Sequence, residues 1–491
     1  MNSTTTLGQV ICKSLIESNQ SEAVRCDDKA LSSYEFLSCV EQRQTTLKQY
    51  GIKEQSRVLL ASGRGLDYWV DMVCLWTLGA VVIPLDPMMQ PIRFDTFMEK
   101  ADPKFVLGNF ALEKDYPQLT IINDDIATAT SKITVDVLSH SAESDAAILF
   151  TSGSTGAPKG VRLSHVSVLG NAQAMIQQLD LRDDDRLFIS IPFHFTSAIC
   201  HFLAATLSGI TFISTEATLF QSDLYHALEK HKATAFGGAP IQLRWISECA
   251  EDKPLPLRWL MSSGDRLNID IIKKLRSSLP AASVYTVYGL TEVGGRLCVL
   301  PAEKIDDFAG SVGKPIQGMQ VSVLDENGKS LPAGEEGDIY VKGPFVFSEY
   351  INDPEKTEKA LTAFGFKTGD YGYLSEQGFL YLRGRVDDVF KSAGQKISAI
   401  AIQEALFATN EFEDIVVYPG EDPMVGTVPF AYYVLKQDKE FNKGLVLRQI
   451  RRQLPKNHLP KSFVEIDNIP RTGSGKLDRV AFREKIANQA A

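Results

Sequence analysis

The chain has 491 residues, of which 44% are hydrophobic and 23% charged, and its formal net charge is −10. This length exceeds what a single hydrophobic core normally supports, so two or more domains are expected. The negative charge argues against a general nucleic-acid binder, because such proteins present a basic surface. The seven cysteines are odd in number and include no C-x-x-C pair, which disfavours a disulfide framework and a structural zinc site.

The N-terminal residues, MNSTTTLGQVICKSL, lack the basic and apolar regions of a signal peptide. No apolar run is long enough to cross a bilayer as a helix. We therefore expect a cytoplasmic protein without a membrane span.

Taken in chain order, residues 57–85 predict a strand, a helix and a second strand, which is the βαβ unit of a parallel sheet. Short apolar runs separated by potential helices extend this pattern; they lie at 105–108, 146–152, 186–193, 210–215, 233–238, 257–264 and 283–289. From about residue 310 a hairpin signal at 326–328 and short strands at 337–343 and 378–385 predict a small β subdomain. The fold class is thus α/β, with a large N-terminal domain over 1–385 and a small α+β C-terminal domain over 386–491.

The segment TSGSTGAPKGV, residues 151–161, is rich in glycine and hydroxyl side chains and follows an apolar strand candidate. Glycines let backbone N–H groups converge on an anion, hydroxyls donate hydrogen bonds and one lysine adds positive charge, so the loop suits a phosphate. The Walker A pattern does not fit, because Gly160 rather than serine or threonine follows Lys159. An ordinary surface turn uses the same residue types and is the alternative.

Further motifs follow this loop in order: VYGLTE at 287–292, TGD at 368–370, GFLYLRGRVDDVFKSAGQKIS at 378–398 and PRTGSGKLDR at 470–479. Together they resemble the motifs of the adenylate-forming superfamily, which includes acyl-CoA synthetases, aryl-acid ligases, luciferases and nonribosomal adenylation domains. The resemblance covers nearly the whole chain. It implies a C-terminal domain that is mobile and carries a catalytic lysine, Lys476.

The resemblance implies that the glycine-rich loop closes over the β- and γ-phosphates of ATP, with Lys159 acting in catalysis. The implied phosphate contacts are Thr151, Ser152, Gly153, Ser154, Thr155 and Gly156. Thr291 would hydrogen-bond the α-phosphate, and Glu292 would be both catalytic and the Mg²⁺ ligand, since Mg²⁺ favours carboxylates with phosphate oxygens. The implied adenine and ribose contacts are Gly264, Asp265, Tyr288, Gly289, Asp370 and Arg385.

Lys476 is implied to bridge the substrate carboxylate and the α-phosphate, because two anions must meet in that reaction. Asp387 matches the hinge about which the C-terminal domain rotates. Gly394 and Lys396 match the loop that admits a thiol-bearing arm, although Ala393 replaces a second glycine found in many members.

The predicted acyl pocket contains His194, Gly238 and Ala239. Amino-acid-activating relatives place an aspartate near His194, and the segment FHFTS at 193–197 has none where one is expected. This disfavours an α-amino acid substrate. A lone histidine is also common as a structural residue, so both interpretations of His194 stay open.

The resemblance implies an enzyme that activates a small carboxylic acid with ATP and Mg²⁺ to acyl-AMP, releasing pyrophosphate. The acyl group would then pass to a thiol, either coenzyme A or the phosphopantetheine of a separate acyl or peptidyl carrier protein. The alternatives are a stand-alone amino-acid adenylation enzyme and a non-catalytic nucleotide-binding regulator. The acid, the acceptor thiol and the oligomeric state are left open by the sequence.

Overall fold

The computed structural model describes residues 5–62, 65–86, 89, 91–108, 116, 118–123, 135–138, 140–152, 158–217, 219–251, 253–264, 267–385, 389–392, 395–422, 426–437, 439–455, 458–471 and 477–489. Contacts divide the chain into two compact units, residues 1–320 with 342–361 and residues 321–341 with 362–491. Contacts report compactness rather than motion, so the predicted domain boundary after residue 385 and the mobility of the C-terminal domain stay predictions.

Several helices begin after residues whose side chains accept from free backbone N–H groups. The described helices are α1 (Leu7–Ser18), α2 (Ser33–Gln49), α3 (Leu66–Thr77), α4 (Pro91–Ala101), α5 (His165–Ile176), α6 (Thr196–Ser208), α7 (Gln221–Lys230), α8 (Pro240–Cys249), α9 (Ile269–Ser278), α10 (Pro354–Ala360), α11 (Ala399–Phe407), α12 (Lys443–Ile450) and α13 (Arg479–Gln489). At the start of α2, Ser32 Oγ accepts from Glu35 N at 3.1 Å and Glu35 Oε2 accepts from Ser32 N at 2.8 Å. This reciprocal capping box fixes where the helix begins.

The strands are numbered in chain order. They are β1 (Val24–Cys26), β2 (Lys29–Leu31), β3 (Arg57–Leu60), β4 (Val81–Pro84), β5 (Phe105–Leu107), β6 (Thr120–Ile122), β7 (Asp145–Ser152), β8 (Pro158–Ser164), β9 (Arg186–Ile189), β10 (Thr211–Ser214), β11 (Ala235–Gly238), β12 (Trp259–Ser262), β13 (Ser283–Leu290), β14 (Gly295–Leu300), β15 (Lys314–Pro315), β16 (Gln320–Leu324), β17 (Gly337–Lys342), β18 (Glu349–Tyr350), β19 (Leu361–Thr362), β20 (Gly365–Leu374), β21 (Leu380–Arg385), β22 (Val389–Ser392), β23 (Gln395–Ser398), β24 (Phe412–Asp422), β25 (Gly426–Leu435) and β26 (Ser462–Glu465).

The first unit contains two mixed sheets. One has the strand order β15-β14-β13-β12-β11-β9-β10-β1-β2, and the other has the order β18-β8-β7-β4-β3-β5-β6. Strands β10, β9, β11, β12 and β13 pair in parallel, and α6 to α9 connect them along the chain. Strands β10, β11 and β12 are buried throughout, as expected for a sheet covered on both faces. The predicted βαβ architecture is therefore confirmed.

Part of the glycine-rich segment that the sequence predicts as a loop is a strand in the structure. Strand β8 begins at Pro158 and pairs antiparallel with β7, with Ser152 opposite Pro158 and Thr151 opposite Lys159. The start and the end of the motif, residues 151–152 and 158–161, thus belong to two paired strands, while residues 153–157 lie outside the described residues. The sequence analysis did not predict β8, because this strand is defined by its pairing with β7.

The second unit contains the predicted β subdomain strands and the C-terminal elements. Strands β16, β17, β20 and β19 form a sheet to which β21 is added through β20. A separate sheet of β24, β25 and β26 packs against α11 and α12 around Ile402, Phe412 and Ile450. The mixed strand and helix content predicted after residue 386 is confirmed in the described residues.

The parallel strands bring several loop starts to one edge of the first sheet. Ser190, Ala239, Ser263 and Thr291 directly follow the carboxyl ends of β9, β11, β12 and β13. In α/β sheets ligands bind outside this edge, because helix N-termini and loops converge there. These four positions therefore mark the candidate site.

Candidate active site

The base of the glycine-rich hairpin is fixed by packing. A Cβ on Gly160 would lie 2.5 Å from Ile351 Cγ2 and 2.9 Å from Phe150 Cζ, so a side chain would not fit there. Ile351 N donates to Gly160 O at 2.8 Å, which joins the hairpin to the segment after β18. Thr151 and Lys159 face each other at this base, while Gly153, Ser154, Thr155 and Gly156 lie outside the described residues.

Tyr350, which the sequence analysis did not identify, contacts two predicted catalytic residues. Its hydroxyl donates to Glu292 Oε1 at 2.8 Å, and Lys159 Nζ lies 5.3 Å from the centroid of its ring. The latter distance is within the range of a cation–π interaction. Strand β18 pairs with β8, where Tyr350 is opposite Val161, and the Tyr350 side chain is 5% exposed. The fold thus gathers Lys159 and Glu292 around one buried aromatic ring.

Thr291 and Glu292 lie in a short 3₁₀ turn, Thr291–Val293, directly after β13. Thr196 Oγ1 at the start of α6 donates to Thr291 Oγ1 at 3.1 Å, and Phe347 N donates to Glu292 O at 2.8 Å. The predicted α-phosphate and magnesium residues are therefore held by both their backbone and their side chains. The donor set fits Mg²⁺, because Glu292 offers a hard carboxylate oxygen beside the lysine-bearing hairpin.

Tyr288 and Gly289 precede that turn, where the ladder of β13 and β14 contains a bulge. A Cβ on Gly289 would lie 1.9 Å from Gly295 O, so only glycine is tolerated. Tyr288 is 9% exposed and sits opposite Cys298. Gly264 has a φ of +98°, a left-handed conformation that favours glycine. The adenine contacts predicted for these residues stay predictions, and Asp265 lies outside the described residues.

Asp370 and Arg385, predicted to contact the ribose, are neighbours in the second unit. They face each other in the β20–β21 ladder, and Arg385 Nη1 lies 3.1 Å from Asp370 Oδ1. Thr368 Oγ1 accepts from Asp370 N at 3.0 Å, and the Asp370 side chain is 9% exposed. The antiparallel register therefore brings the predicted pair together, while its role in nucleotide binding stays a prediction.

The predicted pocket residues lie at the same edge of the parallel sheet. Gln242 Oε1 accepts from Ala239 N at 2.9 Å, and its Nε2 donates to Ser190 Oγ at 2.6 Å. A Cβ on Gly238 would meet Phe236 at 2.5 Å, so this glycine is required by packing. His194 is largely buried, with Nε2 4.0 Å from Asp86 Oδ2.

A second polar group, which we name the Arg296 cluster, comprises Ser197, His201, Ser263 and Arg296. Arg296 is 4% exposed, and its Nη2 donates to Ser197 Oγ at 2.9 Å. Ser197 Oγ in turn lies 3.0 Å from Ser263 Oγ, at the carboxyl end of β12. The sequence analysis missed this cluster, although an arginine opening the otherwise apolar segment RLCVL at 296–300 was a signal that it is buried.

His201, the second titratable member of the cluster, is neutral. Its Nδ1 lies 2.6 Å from Ser197 O, and since a carbonyl only accepts, Nδ1 carries the proton. Burial, followed by the charge of Arg296, lowers the pKa of His201 to about 3. Burial also lowers the pKa of Arg296, but a guanidinium stays charged near neutral pH because its intrinsic pKa is so high.

The remaining predicted residues fall at the limits of the described chain. Lys476, Asp387 and Gly394 lie outside the described residues, as do the side chains of Ser152 and Lys396. Arg471 and Leu477, which flank residues 472–476, form an antiparallel bridge.

Two family models match the chain. The AMP-binding enzyme model covers residues 17–351, and the AMP-binding enzyme C-terminal domain model covers residues 401–476. The chain belongs to the AMP-binding enzyme family. This confirms the predicted superfamily.

This AMP-binding enzyme has relatives of different lengths. It is 25% identical to 2-succinylbenzoate–CoA ligase of Bacillus subtilis (strain 168), over 93% of this chain and 94% of that protein. It is also 25% identical to bacitracin synthase 1 of Bacillus licheniformis over 96% of this chain, but it spans 9% of that much longer protein. Among solved structures, o-succinylbenzoate CoA synthetase (MenE) of Bacillus subtilis with the acyl-adenylate intermediate OSB-AMP has a TM-score of 0.86 at 23% identity. The match covers 98% of this chain and 98% of that chain, and it confirms the predicted fold.

Hydropathy gives one further finding. Within the described parts of this AMP-binding enzyme, every helix is too short or too polar to cross a membrane.

Proposed function

We propose that this chain is an AMP-forming acid–thiol ligase. The observation that carries the proposal is that Tyr350 contacts both Lys159 and Glu292, while Thr291, next to Glu292, directly follows strand β13. The two family matches support it, since they cover both the AMP-binding region and the region that ends at Lys476.

In the first step a carboxylate oxygen of the acid attacks the α-phosphorus of ATP. The bond from that phosphorus to the pyrophosphate oxygen breaks, so that acyl-AMP forms and pyrophosphate leaves. Lys159 offsets the negative charge of the leaving group, and the Thr291 hydroxyl orients the α-phosphate. Mg²⁺ bound at Glu292 would supply further neutralisation of phosphate charge.

In the second step a thiolate attacks the acyl carbon. The bond from that carbon to the AMP oxygen breaks, which gives a thioester and AMP. We propose coenzyme A as the acceptor, because 2-succinylbenzoate–CoA ligase matches this chain over almost its whole length. A separate carrier protein bearing phosphopantetheine is the alternative acceptor.

The first experiment measures exchange of labelled pyrophosphate into ATP with a panel of fatty, aryl, dicarboxylic and amino acids. Exchange that depends on the added acid supports adenylation, and AMP formation with coenzyme A or with a loaded carrier protein then identifies the acceptor. Binding of ATP without exchange for any acid would refute the proposal and favour the non-catalytic regulator.

Lys476 provides a test of the two-step order. We expect Lys476→Ala to lower acyl-AMP formation by about a hundredfold or more, since it removes the cation between two reacting anions. Thioester formation from added acyl-AMP is expected to fall far less, because this step has no attack on phosphorus. An equal loss in both half-reactions, measured by single-turnover assays, would contradict this division of roles.

A further inference from the structure

Within the part of the chain that the structure describes, Arg296 is a buried cation without a carboxylate partner. Among the described residues no carboxylate forms an ion pair with it, and its Nε has no hydrogen-bond partner. A second buried arginine of the same unit differs: Arg43 Nε lies 2.6 Å from Asp71 Oδ1, with side-chain exposures of 4% and 1%. An unpaired buried charge is strongly unfavourable, so an anionic ligand that reached this group would stabilise it.

The other members of the Arg296 cluster do not supply negative charge. Ser197 and Ser263 are neutral hydroxyls, and His201 is held neutral by burial. His201 Nε2 is also buried without a partner in the described chain. The cluster thus offers a net positive charge with hydroxyl groups beside it, a combination that suits an anionic oxygen group.

The position of the cluster relates it to the acyl substrate. Ser197 directly follows Thr196, whose hydroxyl contacts Thr291, the proposed α-phosphate residue. Ser263 follows β12, next to the strand that ends in the predicted pocket residue Gly238. The cluster therefore adjoins the reacting end of the site, on the side of the acyl pocket.

The side chain of Asn171 fixes the backbone of Arg296, and Ser197 Oγ accepts from its guanidinium at 2.9 Å. Arg296 N donates to Asn171 Oδ1 at 3.0 Å, and Asn171 Nδ2 donates to Arg296 O at 2.6 Å. Asn171 is completely buried in α5. A preorganised guanidinium binds a carboxylate with little loss of side-chain entropy, because its planar fork matches two carboxylate oxygens.

We propose that Arg296 binds a second carboxylate of the acyl substrate, so that the acid activated by this enzyme is a small dicarboxylic acid. This inference rests on the proposed ligase function and adds the substrate class. It also disfavours an α-amino acid, since the ammonium group would be repelled by Arg296. A long unbranched fatty acid would leave the guanidinium uncompensated.

The test compares each diacid with its own monomethyl ester, which keeps the length and removes one charge. The probes are malonic, succinic, glutaric, adipic and the three benzenedicarboxylic acids, assayed by pyrophosphate exchange. We expect at least one diacid to exceed its ester by about a hundredfold in kcat/KM, because the ester leaves a buried charge unpaired.

Arg296→Met is expected to bring this ratio close to one, whereas Arg296→Lys keeps part of the preference. Arg276→Met is the matched control, because Arg276 forms an exposed ion pair with Asp306 at 2.6 Å. In this variant the ratio of kcat/KM for diacid and ester should equal that of the wild type. An equal loss for diacid and ester in Arg296→Met would overturn the proposal, since Arg296 would then serve the reacting carboxylate.

A measurement on the unaltered protein covers the case in which the variants do not fold. With AMP present, the preferred diacid is expected to raise the temperature of thermal unfolding more than its ester does. Equal shifts, or exchange that favours esters and monocarboxylic acids, would refute the dicarboxylate inference while the ligase function stands. No exchange with any acid, despite ATP binding, would refute both.

Discussion

Replacing Tyr350 by phenylalanine removes the hydroxyl that donates to Glu292 Oε1 at 2.8 Å and keeps the ring below Lys159. A hydrogen bond to a charged acceptor contributes about 1.5–3 kcal/mol. At about 1.4 kcal/mol per factor of ten, this corresponds to roughly a tenfold to hundredfold effect. Residues that orient a metal ligand have effects of about the same size on metal affinity. We therefore expect Tyr350→Phe to raise the Mg²⁺ concentration for half-maximal activity by about tenfold to a hundredfold.

The assay is pyrophosphate exchange at saturating acid and ATP, titrated with Mg²⁺. Tyr116→Phe is the matched control, because the Tyr116 hydroxyl also donates to a carboxylate, Asp95 Oδ1, at 2.8 Å. Tyr350→Leu, which removes the ring as well, should lower the maximal rate further through Lys159. If Tyr350→Phe and Tyr116→Phe give the wild-type Mg²⁺ dependence, Tyr350 does not position Glu292 and the reasoning is wrong.

Two further predictions concern stability. A Cβ on Gly237 would lie 2.1 Å from His201 Nε2, so Gly237→Ala should destabilise the fold by about 1–3 kcal/mol in urea unfolding, whereas Gly444→Ala in α12 should be neutral or stabilising. Equal effects of the two substitutions would contradict this packing argument. Burial lowers the pKa of His165 from its usual 6.5 to about 3. Between these two pH values the unfolded state binds more protons than the folded state. The free energy of unfolding therefore falls as the pH falls through this window. Because of His165, the free energy of unfolding should fall by about 2 kcal/mol between about pH 7 and about pH 5. His165→Asn keeps an acceptor for Leu7 N and should reduce the loss by this amount; an unchanged pH dependence of urea unfolding would show that His165 titrates normally.

The alternation of apolar strands and helices predicted the parallel core because each buried strand is a local, continuous apolar run. The predicted strand at 57–61 is observed as Arg57–Leu60, and the run at 283–289 is observed as Ser283–Leu290. Partners of edge strands were not predictable in this way. Strand β18 has two residues, Glu349 and Tyr350, and is defined only by its pairing with β8.

Motif order identified the family and predicted roles for Lys159, Thr291 and Glu292, since the family's motifs are contiguous and follow one another in a set order along the chain. Their mutual geometry depends on residues distant in sequence, as Tyr350 and Glu292 are 58 positions apart. No local pattern marks such a tyrosine, because its role arises from where two strands and a turn meet.

By itself, the sequence determined the α/β fold class and the family, and it predicted the residues that would meet the nucleotide, because these follow from local periodicity and contiguous motifs. Only the tertiary structure decided that Arg296, Ser197 and Ser263 meet in one buried cluster. The physical reason is that burial and charge pairing are properties of the packed chain: an arginine in the sequence is ordinarily solvated, and its lack of a carboxylate partner is defined only once its neighbours in space are known.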